Sequence, residues 1–126
     1  MKKSKTTDSD NLLNSYRERF LSLKRELDAI DYFCKGTLLK RMMKCGQKRC
    51  ACQQDPSKRH GPYFEWTYKA KGKTVNIRLQ PEEAPVYQNA VEEYRKLKLL
   101  LTRMERLSRT ALARLARKAL SNSGNI

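Results

Sequence analysis

Three of the four cysteines and the only histidine fall within one short stretch. It reads Cys45-Gly46-Gln47-Lys48-Arg49-Cys50-Ala51-Cys52 and then His60, a C-x4-C-x-C-x7-H spacing. Three thiols and one imidazole are the donors that close a tetrahedral zinc site and leave no position for water. Mixed sulfur and nitrogen donors favour zinc over harder cations. The alternative is that the thiols are small buried hydrophobes and His60 a loop residue. The polar neighbours Gln47, Lys48, Arg49, Gln53 and Gln54 speak against a buried apolar segment. A site kept in relatives and partly lost here is a third alternative.

Other chemistry finds little support. One histidine is better used as a ligand than as a general base. The chain has no G-x-S-x-G, no P-loop and no H-E-x-x-H. A metal-dependent nuclease needs converging carboxylates, and the central region offers only Asp55 and Glu65. Cys52 beside His60 as a nucleophile is the one covalent option, and a closed metal site would consume both groups. The expectation is a non-enzymatic protein.

The charge points to a partner instead. The chain of 126 residues carries a formal net charge of +15. Residues 35–60 hold eight Lys/Arg against one acid, and residues 98–118 hold seven against one, whereas residues 81–97 are net −2. Two basic blocks fit a polyanion, with nucleic acid ahead of a membrane surface. The bland reading of either block is a solvated face. Around the cysteines the candidate contacts are Lys44, Lys48, Arg49, Lys58 and Arg59. Further along they are Lys69, Lys71, Lys73 and Arg78, then Arg103, Arg106, Arg109, Arg114, Arg117 and Lys118. These would mainly meet phosphates. Tyr63 is the candidate for stacking on a base. Met1–Asn11 leads into no apolar run of the signal-peptide kind, and Leu99-Leu100-Leu101 is far short of a membrane span. A cytoplasmic location is expected, where clustered thiols stay reduced and favour metal over disulfide.

The elements that position these residues follow from periodicity. Residues 1–9 read as a disordered tail and 10–120 as a single domain. Leu13, Tyr16, Phe20, Leu23, Leu27 and Ile30 form a heptad seam, so 10–35 reads as a helix. Cys34 takes the next seam position as a buried apolar side chain, and Gly36 ends the helix. Residues 36–62 form the basic metal-binding loop, in which 37–44 is either extended or a helical turn. Residues 63–80 read as a two-stranded hairpin turning at Lys71-Gly72. Phe64, Trp66 and Tyr68 should share the inner face with Val75, Ile77 and Leu79, and Tyr63, Glu65, Thr67 and Lys69 should lie outside with Thr74, Asn76 and Arg78. Residues 81–120 read as a long basic helix, regular from near Pro85, with its seam through Leu97, Leu100, Met104, Leu107 and Ala111. Residues 121–126 read as a second tail. The class is α+β. A small hairpin cannot cover a helix this long. The first helix or another subunit must, so a homo-oligomer or a larger protein partner is open.

The run Arg41–Cys52, then His60-Gly61-Pro62-Tyr63-Phe64-Glu65-Trp66, then Gly72-Lys73-Thr74, resembles a family of small uncharacterised prokaryotic proteins. Their shared core reads approximately RCGKPxCxCxxGxxHGPYYxxW…GKT. Cys45, Cys50, Cys52 and His60 match it, and Gln47-Lys48-Arg49 replaces a common Lys-Pro pair. The resemblance spans about residues 36–100 and implies a shared metal-site fold. Some relatives look associated with transposases or other mobile elements, so it also suggests an accessory role in such a system or in defence. The combined expectation is a zinc-containing nucleic-acid-binding protein, with DNA ahead of RNA. The alternative is a coiled-coil assembly module or adaptor that touches no nucleic acid.

Overall fold

The computed structural model describes residues 8–123. It is α+β: helix α1 (Asp8–Asp28), strand β1 (Thr37–Met43), two short 3₁₀ turns (Ala51–Gln53 and Pro56–Lys58), strands β2 (His60–Ala70) and β3 (Lys73–Leu79), and helix α2 (Ala84–Ser123). The chain divides into two compact units where one domain was expected. Among the described residues, one comprises 8–30 with 96–123, the other 31–95. Helix α2 contributes to both.

In the helical unit, Leu13, Tyr16, Phe20, Leu23 and Leu27 are half-buried on α1, as are Leu97, Met104, Leu107 and Ala111 on α2. Both seams are therefore the covered stripes. Lys118 Nζ lies 2.9 Å from Asp10 Oδ1, so the start of α1 meets the end of α2. No residue of α1 is fully buried, and Leu100 is the one buried apolar side chain of this unit among the described residues.

The other unit is a three-stranded antiparallel sheet in the order β1-β2-β3. Three strands replace the expected hairpin, because 37–43 pairs with β2 instead of belonging to the loop. Leu38 stands opposite Trp66 and Leu39 opposite Glu65. The β2–β3 register is the expected one, with Phe64 opposite Leu79, Trp66 opposite Ile77 and Tyr68 opposite Val75. The two-residue turn Lys71-Gly72, at φ +52° and +76°, suits a tight hairpin. The Trp66 ring lies 4.9 Å from that of Tyr87 on α2, and Leu79, Ala84 and Val91 of the same unit are buried.

Three expectations about ends need correction. The first helix stops at Asp28, not residue 35. The backbone N–H groups of Asp31 and Cys34 are taken by the Glu93 carboxylate and the Ala90 carbonyl of α2, which draws the chain out of the helix. Cys34 is accordingly a half-buried residue of the irregular segment between α1 and β1, and burial raises its thiol pKa. Of the expected tails, residues 1–7 and 124–126 lie outside the described residues, while Asp8, Ser9 and residues 121–123 are helical.

Gly36 does not cap a helix. Its φ is +113°, and an added Cβ would strike the Thr67 carbonyl oxygen and approach Trp66 Nε1 at 2.8 Å. The indole N–H meanwhile donates to the Lys35 carbonyl at 2.7 Å. Gly36→Ala should therefore destabilise the sheet unit by about 2 kcal/mol or more. Chemical unfolding measures it, and an unchanged midpoint would contradict the packing described.

Candidate metal centre

The cysteine cluster hangs between the end of β1 and the start of β2. The ladder brings Met43 opposite His60, after a bulge between Arg41 and Met43. Gly61 makes that approach possible: at φ +138° its added Cβ would lie 2.8 Å from the Arg41 carbonyl oxygen and 3.0 Å from Met42 Sδ. His60 and Cys45 are therefore delivered to one edge by strand pairing.

The loop supplies the other two thiols by turning back twice. The Cys50 N–H donates to the Gln47 carbonyl at 3.2 Å, and the Gln53 and Gln54 N–H groups close the 3₁₀ turn that follows. The Gln53 side-chain amide ties this turn to the first half of the loop, donating to the Cys45 carbonyl at 2.6 Å and the Gln47 carbonyl at 3.3 Å. Asp55 caps the second turn by accepting from the Ser57 N–H at 3.0 Å and its hydroxyl at 2.7 Å, and these bonds hold its carboxyl pKa down.

Cys45, Cys50, Cys52 and His60 thus converge, with one donor atom from each lying within 4.8 Å of all the others. Cys52 Sγ is 3.5 Å from Cys45 Sγ, and Cys50 Sγ is 3.1 Å from His60 Nε2. A tetrahedron with metal–sulfur bonds of about 2.3 Å has edges of about 3.8 Å, so the donors can close on a metal ion with shifts of up to about an ångström. The Cys45 N–H also points at Cys52 Sγ, 3.3 Å away, which stabilises a thiolate. Cys52 is buried and His60 exposed, so the site closes at the surface. Cys34 is not part of the cluster.

The thiols are electrostatically unlike. The Cys52 backbone N–H, then His60 and the neighbouring thiols, lower the Cys50 pKa to about 6. At Cys52 the Cys45 N–H is the largest single influence and pulls downward, but desolvation and the adjacent thiols together outweigh it and leave the pKa raised.

The basic candidates fall into both units. Lys44, Lys48, Arg49, Lys58 and Arg59 surround the cluster, all exposed and without an ion-pair partner among the described residues. Lys69, Lys71 and Lys73 lie at the exposed β2–β3 turn. Arg78 lies over the Tyr63 ring at 4.5 Å, so the aromatic face expected to stack on a base already carries a guanidinium. Arg103, Arg106, Arg109, Arg114, Arg117 and Lys118 belong to the helical unit. There Arg109 pairs with Glu105 and Lys118 with Asp10, and Arg114 is half-buried. Residue spacing did not reveal Gln53 or the Arg78–Tyr63 contact. The strand register, with Arg78 opposite Glu65 and so diagonal to Tyr63, is the signal that finds the latter.

A family model described as Domain of unknown function (DUF6788) matches residues 13–88, and the chain belongs to that family. No curated protein and no solved structure matches it.

In metal-free protein near pH 7, Cys50 should be alkylated by iodoacetamide before Cys45 and Cys52, because only the thiolate reacts. Its rate should fall as pH drops through about 6, where the thiol regains its proton. Mass mapping of the first modified residue checks this, and equal rates at the three thiols would contradict it.

Proposed function

We propose that this member of the family is a non-enzymatic, zinc-stapled protein that binds nucleic acid, DNA in the first instance. The observation that carries the reading is the loop around the metal cluster. Five cations (Lys44, Lys48, Arg49, Lys58 and Arg59) face solvent there against one carboxylate, Asp55, which is occupied in capping its own turn. Zinc is the metal of choice because three thiols and an imidazole in tetrahedral reach suit it, and because four protein donors leave no open position for substrate. The metal then acts as structure. It holds a loop with little apolar content in one shape, and so presents its charges as a fixed surface.

Phosphates are the natural target of such a surface, giving affinity that is strong at low salt and weakly sequence-specific. An accessory role beside a mobile element or a defence system is the extension that the sequence resemblance suggests. No helix of the described residues is long and apolar enough to cross a membrane.

One observation favours a second reading, an assembly module. Leu99, Leu101, Leu112, Leu115 and Leu120 of α2 are exposed, the last at 73%. A helix pair with that much open apolar surface suits a protein partner or a second copy.

The two readings separate in one set of titrations. The first expects binding to a duplex of about 20 base pairs, weakening by at least about tenfold as salt rises about fourfold. Replacing Lys48, Arg49, Lys58 and Arg59 with Ala should lower that affinity by about tenfold or more while zinc content is retained. Undetectable binding at low salt, or affinity indifferent to salt, overturns it. A sedimenting complex that ignores nucleic acid supports the second reading.

A further inference from the structure

The helical unit has a groove of its own between α1 and the second half of α2, about 650 Å³ in volume. Tyr16, Leu23 and Leu107 line its floor, and all three are half-buried. Arg19, Arg103 and Arg106 stand along it, all exposed, and no carboxylate lines it. The Arg19 guanidinium lies 5.7 Å from the Tyr16 ring centroid. Arg103 and Arg106 have no ion-pair partner among the described residues. The neighbouring groove shares Tyr16 and Leu107 but carries a single cation, Arg17. Of these two grooves, the one along Arg19, Arg103 and Arg106 therefore carries more of the cations.

An apolar floor beneath a basic rim distinguishes between forms of nucleic acid. A duplex offers its phosphates outward and keeps its base faces stacked inside. It could meet the three arginines but would leave Tyr16, Leu23 and Leu107 without a partner. A single strand offers both at once, with unstacked base faces for the floor and phosphates for the rim. Arginine beside an aromatic ring adds a planar cation on which a base can stack.

We infer that this groove is a binding site for single-stranded nucleic acid, with the Arg19 guanidinium over the Tyr16 ring as its stacking platform and Arg103 and Arg106 as its phosphate contacts. The inference rests on the nucleic-acid reading above and assigns it a second surface, separate from the loop around the metal cluster. It also gives the basic end of α2 a role that does not require a coiled-coil partner.

The test compares the full zinc-loaded chain on a fluorescent single strand of about 16 nucleotides and on a duplex of the same length, at matched salt. The single strand should bind more tightly. Tyr16→Leu, which keeps the floor apolar, should weaken single-strand binding by about fivefold or more and leave duplex binding unchanged. Tyr16→Phe should bind as the unaltered chain does. The pair Arg103→Ala and Arg106→Ala replaces exposed helix residues with a good helix former, so folding is preserved. It should lower single-strand affinity by about tenfold and flatten its salt dependence. Duplex binding at least as tight as single-strand binding, or single-strand affinity unmoved by Tyr16→Leu, overturns this inference and leaves the nucleic-acid reading standing. Binding to neither form at low salt overturns both.

Discussion

Met43 stands opposite His60 where β1 and β2 begin to part, and the shape of the intervening loop depends on that pairing. The ladder fixes both ends of residues 44–59 and places Cys45 and His60 on one edge. Closing a loop of this length costs conformational entropy, and the loop has few apolar residues with which to offset it. Its hydrogen bonds are local: the Gln53 amide to two carbonyls, the Asp55 cap, the turn at Cys50. Cys52 is its one buried residue. An ion held by these four side chains would be the remaining source of order, because such a site does not exist in the unfolded chain.

The same ion bears on the charge problem. Five cations sit within the loop, and their repulsion opposes compaction. Three thiolates around a divalent ion carry one net negative charge, so a loaded site attracts the surrounding lysines and arginines while fixing the backbone beneath them. The Cys52 backbone N–H, the largest of the influences that lower the Cys50 pKa, favours the thiolate with no metal bound. Structure and electrostatics thus converge on a loop that is held from within and positive outside.

How much of this was legible in the sequence differs by element. The C-x4-C-x-C-x7-H spacing singled out the four side chains that converge, because thiols clustered among polar residues have few other uses. The pairing of β2 with β3 followed from strict alternation and both helical seams from spacing alone, but the inner face is only partly covered: Ile77 is exposed and residues 63–68 are half-buried on both faces. Strand β1 is ambiguous in the sequence because Leu38-Leu39 and Met42-Met43 are apolar pairs that fit neither period cleanly. The end of α1 was misplaced because Ile30 and Cys34 extend the seam beyond the helix. Only the bonds from Asp31 and Cys34 to α2 reveal where it stops. Gly36 was read as a cap for the same reason, though its requirement comes from Thr67 and Trp66, distant in sequence. The division into two units left no trace, since α2 runs through both without a breaker.

Metal analysis of freshly purified protein, paired with the stability of Cys50→Ser, tests the central claim most directly. The account predicts one zinc per chain, loss of ordered structure on chelation, and a large loss of stability when Cys50 is replaced. Near-zero metal together with an unperturbed Cys50→Ser would contradict it, and the four converging side chains would then be packing rather than a site.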